Sequence, residues 1–162
     1  MRRYILIFAI CTGVLWCGPV GADEADKATY ERATAAFNRG DYAEALDGFR
    51  VLAEKGFAYA QWGLGYMYAK GGVVPRDYAE AAKWYRKGAE QGDAMAQLNL
   101  GDMYEKGQGV PQDYVLAHMW LNLAAAQGIE IAGEIRNLLA KNMTPAQIAK
   151  AQRLARQWRP TN

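Results

Sequence analysis

Residues 57–92, laid over residues 93–128, agree at 18 of 36 positions. No other feature constrains the fold as strongly, because a fixed period of this length is the signature of stacked supersecondary units. The shared frame runs A-x-A-Q-x-x-L-G-x-M-Y-x-K-G, then V-P-x-D-Y-x-x-A-x-x-W, then A-x-Q-G. Each unit reads as two helices. In the first, near 58–69 and 94–105, Ala60, Leu64, Met67 and Tyr68 and their counterparts recur at helical spacing. Gly71 and Gly107 then stand where a glycine ends a helix. After Pro75 or Pro111, Asp77 or Asp113 opens the second helix. Asp77 with Glu80, like Asp41 with Glu44, has capping-box spacing, whereas Leu116 leaves the box of the last copy incomplete.

Gly65 and Gly101 interrupt the first helices at a cost of about 1 kcal/mol each against alanine. They predict a close helix crossing, with Tyr42, Tyr78 and Tyr114, and Ala45, Ala81 and Ala117, as the opposing contacts. Leu64, Tyr68, Ala81 and Trp84 are the expected repeat core, with Trp62 outside it. A partial earlier copy precedes the two full ones. Residues 40–56 match the second helix at the same offset of 36, but their partner helix, about 25–38, aligns at an offset of 32. Its turn is therefore four residues shorter.

The frame L-G-x-M-Y-x-K-G-x-x-V-P-x-D-Y-x-x-A-x-x-W at a 36-residue period resembles the Sel-1-like (SLR) repeats, relatives of the tetratricopeptide repeats. The short turn F-N-R-G-D-Y-A-E-A is similar to tetratricopeptide spacing. The resemblance covers 58–128 closely and 25–57 in part. It implies an all-α fold, a right-handed α-solenoid of antiparallel helix pairs, working as an adaptor between proteins. Some secreted members carry a cysteine pair in each repeat; this chain has none there, so nothing tied to such bridges carries over.

The ends complete the organisation. Arg2 and Arg3, the apolar run Tyr4–Cys17, and Val20 and Ala22 at a small-residue cleavage site have the order of a secretory signal peptide, cut after Ala22. A spanning helix needs about 20 apolar residues, and this run is shorter. Both cysteines leave with that segment, so the mature chain must be held by helix packing alone. Without Arg2 and Arg3, 17 basic residues face 17 acidic ones. A neutral chain has no general attraction for nucleic acid or anionic lipid. The expected division is 1–22 signal, 23–57 tetratricopeptide-like first repeat, 58–92 and 93–128 Sel-1-like repeats, and 129–162 a C-terminal helical cap. The cap follows from 115–126, "VLAHMWLNLAAA", which is apolar nearly all round and needs a cover. Two helices near 130–141 and 145–158 would supply it. The second opens on Thr144-Pro145-Ala146-Gln147, with Ile148, Ala151, Ala155 and Trp158 on its apolar side and Lys150, Arg153 and Arg156 on the other.

Catalytic candidates are few. The chain has no serine, and the mature chain no cysteine, which removes those nucleophiles and the S-x-x-K arrangement. His118 is the only histidine, so a multi-histidine zinc site cannot form within one chain; it reads as a satisfied interior or interface residue. The Asp41/Glu44 and Asp77/Glu80 carboxylates have capping roles, and nothing singles out a glycosidase pair. No phosphate-loop motif or cofactor fingerprint is present.

The divergent positions of the first helices are more informative. Tyr59/Met95, Trp62/Leu98, Gly63/Asn99 and Tyr66/Asp102 differ between copies and are spaced i, i+3, i+4, i+7, which places them on one helix face. Lys27, Tyr30, Glu31 and Thr34 occupy it in the first copy. Stacking positions should stay alike, while ligand-facing ones can diverge. Tyr30, Tyr59, Trp62, Tyr66, Asn99 and Asp102 are therefore the candidate partner-binding groove, rich in the aromatics that anchor interfaces. The competing reading is that Trp62 and Tyr66 merely pack between neighbouring helices. An exported adaptor holding a protein or peptide is the leading function. A glycan-binding module or hydrolase of the cell wall, for which Asp102 would be the buried acid, and a structural envelope subunit are the alternatives.

Overall fold

In the computed structural model, residues 22–161 are described; residues 1–21 of the expected signal segment lie outside them. Among the described residues there are eight α-helices and no strand. They are α1 (Glu24–Arg39), α2 (Tyr42–Glu54), α3 (Ala58–Lys70), α4 (Tyr78–Glu90), α5 (Ala94–Lys106), α6 (Tyr114–Ala126), α7 (Glu130–Ala140) and α8 (Pro145–Gln157). Each of α1 to α6 packs on its successor, giving the expected α-solenoid of helix pairs.

The first pair closes through Gly40 and Asp41 alone. Gly40 takes φ +82°, and the Gly40 and Asp41 N–H groups donate to the Phe37 and Ala36 carbonyls, each at 2.9 Å, so two of the last carbonyls of α1 are satisfied without a loop. The later pairs use longer loops over 71–77 and 107–113, and both close alike: Asp77 and Asp113 N–H donate to Tyr68 and Tyr104 carbonyls at 3.0 Å. Asp41, Asp77 and Asp113 all cap their helices. The expected capping boxes at 41 and 77 are half formed, because the N3 glutamates turn outward: Glu44 pairs with Arg39 and Glu80 with Lys83. Among the described residues only the Thr144–Gln147 box at α8 is reciprocal, with Pro145 at the first turn.

The glycine crossings occur, and of the expected partners Ala117 is met, its carbonyl 3.2 Å from a Cβ at Gly101, but larger side chains come closest. A Cβ at Gly65 would stand 2.7 Å from the Tyr85 ring, and one at Gly101 2.8 Å from Leu121 Cγ. Phe49, Tyr85 and Leu121, each 36 residues on from the last, are the buried knobs of the second helices. The tyrosines at 42, 78 and 114 are half-buried at the helix starts instead, where the first turn lies off the crossing. Trp84 is likewise half-buried, with the Lys87 ammonium 4.1 Å over its ring in a cation–π contact. The repeat core therefore contains Leu64 and Ala81 as expected, but Tyr85 in place of Trp84.

A polar ladder recurs with the period. Gln61 Nε2 donates to the Ala53 carbonyl (3.1 Å) and its Oε1 accepts from Gln91 Nε2 (2.7 Å). Gln97 repeats this with the Ala89 carbonyl (3.2 Å) and Gln127 (2.8 Å). Buried amides so paired cost little and fix the register between units. In the first unit Lys55, the counterpart of Gln91, pairs with Asp26 instead.

The cap differs from a further repeat. Both α7 and α8 find their main packing partner in α6, whose Trp120 meets Trp158 edge-on with centroids 6.3 Å apart. Ala151 and Ala155 are buried, and Lys150, Arg153 and Arg156 are exposed.

Candidate functional site

The divergent stripe lies along α1, α3 and α5, and its two ends behave differently. At the N-terminal end large rings fill it. Tyr30 meets Tyr59 edge-on at 5.6 Å; Tyr59 lies 5.2 Å and Phe37 5.3 Å from Trp62; Phe37 is 5.4 Å from Tyr66. Trp62 is only 9% exposed, and its Nε1 has no partner among the described residues. Gly63 lies under the Phe49 ring, where a Cβ would come within 2.5 Å. Burial pushes the Tyr59 hydroxyl up to about 12, with Tyr30 and Asp93 adding to it. The expectation that Trp62 stands outside the core is thus corrected: α1 supplies Phe37, which the offset of 32 hid, and its ring closes over the indole. Tyr66 is half-buried, beside Tyr42 at 6.0 Å, with the Lys70 ammonium 4.0 Å over the Tyr42 ring.

At the C-terminal end the stripe is open. Leu98, Asn99 and Asp102 of α5 face Ile131 and Ile135 of α7 across a trough of about 200 Å³. Asn99 Nδ2 donates to the Tyr85 hydroxyl at 3.4 Å. Asp102 is partly exposed and ion-paired to Lys106 at 2.7 Å, so it is not the buried acid a hydrolase would need. The carboxyl held above its ordinary value here is Glu105, by burial first and then by the Asp102 charge.

Ile131, Ile135 and Leu138 were missed from the sequence because identity fades after residue 128. The register does not. Ala132 is buried 36 residues after Ala96, and Leu139 36 after Met103, so Ile131, Ile135 and Leu138 continue the positions of Met95, Asn99 and Asp102. Carrying the same offset past the last identity would have found them. The stripe residues thus divide: Tyr30, Tyr59, Trp62 and Tyr66 come together as one aromatic cluster, and Asn99 and Asp102 in the trough.

His118 is 3% exposed on α6, as expected of a covered helix, but its Nδ1 has no partner among the described residues. Burial, and then the Arg136 charge, hold it below its ordinary value. Among the described residues no cluster of metal-ligating side chains occurs, and no helix is long and apolar enough to cross a membrane.

A family model described as Sel1 repeat matches residues 58–93 and 94–129. The Sel1 repeat protein from Oxalobacter formigenes is similar at 41% identity, over 69% of this chain and 87% of that one, with a TM-score of 0.62. The protective antigen c5321 of uropathogenic Escherichia coli strains, which displays an SLR fold, is similar at 34% identity over 82% of this chain, with a TM-score of 0.76. This chain spans 29% of that antigen's length. No curated protein matches the chain.

Proposed function

The chain belongs to the Sel1 repeat family, and from that membership we propose that it is an exported adaptor that holds a protein or peptide partner on the open end of its first-helix stripe. The Sel1 fold mediates protein–protein interaction and is a non-catalytic helical scaffold. One observation carries the assignment of the surface. Five large hydrophobic side chains are exposed among the described residues, and three of them share the stripe: Met95 (38%), Ile131 (50%) and Leu138 (60%). Apolar groups concentrated on one face mark an interaction site, whereas scattered ones carry no such meaning. Glycan binding finds less support, because the rings that would stack on a sugar pack edge-on or tilted against one another.

The test is recovery of a partner from the envelope fraction with the full chain as bait, beside Ile131→Asp and, as control, Val51→Asp on another exposed position. Loss of the partner with the first variant alone supports the reading. Equal recovery by all three baits would place the interaction elsewhere and sink it.

A further inference from the structure

Resting on that reading, we propose that the α5–α7 trough takes a cationic amphipathic helix. The helix α6 already nests between α5 and α7, burying Ala117, Leu121 and Ala124. The same two helices present a second apolar seam, with Leu98 on one wall and Ile131 and Ile135 on the other, and the exposed Met95 and Leu138 continue these two helix faces. Ile131, Ile135 and Leu138 are spaced i, i+4, i+7, the ridge against which another helix packs. Between α1 and α3 the equivalent seam is closed by Tyr59, Trp62 and Phe37; here the small Asn99 leaves it open.

The walls also decide the backbone of the occupant. The trough is lined by Leu98, Ile131 and Ile135, with Asn99, whose Nδ2 donates to the Tyr85 hydroxyl, and Asp102, which is paired with Lys106, as its polar side chains. An extended peptide would lay most of its N–H and C=O groups on apolar side chains, with few groups to bond them. A helix arrives with those bonds made. The trough, at about 200 Å³, seats one anchoring side chain while the rest of the helix lies along the ridge.

Charge selects the flanks. Glu130 and Glu134 are exposed on α7, and Glu105 lies on α5; Asp102 and Lys106 neutralise each other, and Arg136 turns away to Asn122 Oδ1 at 2.7 Å. Lys141 is exposed at the end of α7, and Lys150, Arg153 and Arg156 sit on α8, which packs on α6. With three carboxylates against Lys141, the rim is acidic and favours a basic partner.

The probe is a labelled synthetic peptide of about 16 residues, roughly four helical turns, with leucines at i, i+3, i+4, i+7 and lysine flanks. It is titrated into the full chain by fluorescence anisotropy beside a glutamate-flanked version and a version broken by a central proline. The lysine helix should bind at least about tenfold tighter than either. Leu138→Asp should weaken it at least about tenfold, with an unchanged melting temperature because Leu138 is 60% exposed. Equal binding of both charge versions, equal binding of the proline version, or indifference to Leu138→Asp overturns the proposal. So does a dimer in sedimentation that Leu138→Asp dissolves, which would make a second copy the occupant. A photo-crosslinker at position 131 separates the two levels: capture of a cellular protein when no peptide binds keeps the adaptor and discards the helix, and no capture with no binding discards both.

Discussion

The Phe37 ring meets the Trp62 indole edge-on with centroids 5.3 Å apart, and this contact closes the first repeat onto the second. Phe37 also touches Phe49 (5.6 Å) and Tyr66 (5.4 Å), so one residue of α1 ties α2 and α3 together.

Trp62→Ala should therefore be the most damaging tryptophan substitution in the second repeat, costing about 3–5 kcal/mol as a buried large-to-small change. Trp84→Ala, at a half-buried site, should cost roughly 1–2 kcal/mol. Denaturant melts of the two variants rank them; the reverse order would return Trp62 to the surface.

Two glycines in helices should respond with opposite sign. Gly63→Ala drives a methyl to 2.5 Å from the Phe49 ring and should destabilise by about 1–3 kcal/mol. At Gly133 the nearest atom to a new Cβ is the Ala125 methyl at 3.7 Å, ordinary contact, so Gly133→Ala should stabilise by about 0.5–1 kcal/mol through helix propensity. Thermal melts settle both.

His118 should make stability fall with acid. Its folded-state value is lowered by burial and by Arg136, so the unfolded chain binds its proton more readily. The stability is complete above the ordinary value of about 6.5 and is lost as pH falls from there through the lowered one. Asp93 and Glu105, both raised by burial, act in the opposite sense as pH falls through their raised values. The difference between wild type and His118→Gln in melts from about pH 7 to 5 isolates the histidine; parallel curves would remove it from the account.

Deletion of 129–162 should uncover α6 on the two sides that α7 and α8 cover, exposing Trp120 and the flank of Leu121. Aggregation or a large loss of stability is expected in light scattering and melts. A soluble fragment that unfolds cooperatively would show that α6 needs no cap.

Export predicts Asp23 as the first residue of the protein recovered from the envelope fraction, read by mass spectrometry of the intact chain. Met1 retained there would mean an uncleaved anchor. In the described residues Asp23 caps α1, accepting from the Asp26 N–H at 2.8 Å, so cleavage after Ala22 leaves that helix start whole.

The repeat alone determined the helix pairs, their boundaries and their loops, because 3.6-residue periodicity, aspartate caps and helix-ending glycines act over a few residues and are written locally. It also determined that α6 needed covering, since apolarity all round a helix has no local remedy. Which aromatic faces inward depended on the tertiary structure. Trp62 and Tyr85 are interior, and Trp84 is not, because Phe37 arrives from a helix whose register is set by a turn four residues shorter, and because the Gly65 crossing admits the Tyr85 ring. The same holds for the trough. Asn99 and Asp102 were legible as divergent positions, but their facing wall, Ile131 and Ile135, was brought beside them only by packing of α7 on α6, a contact that no repeated residue announces.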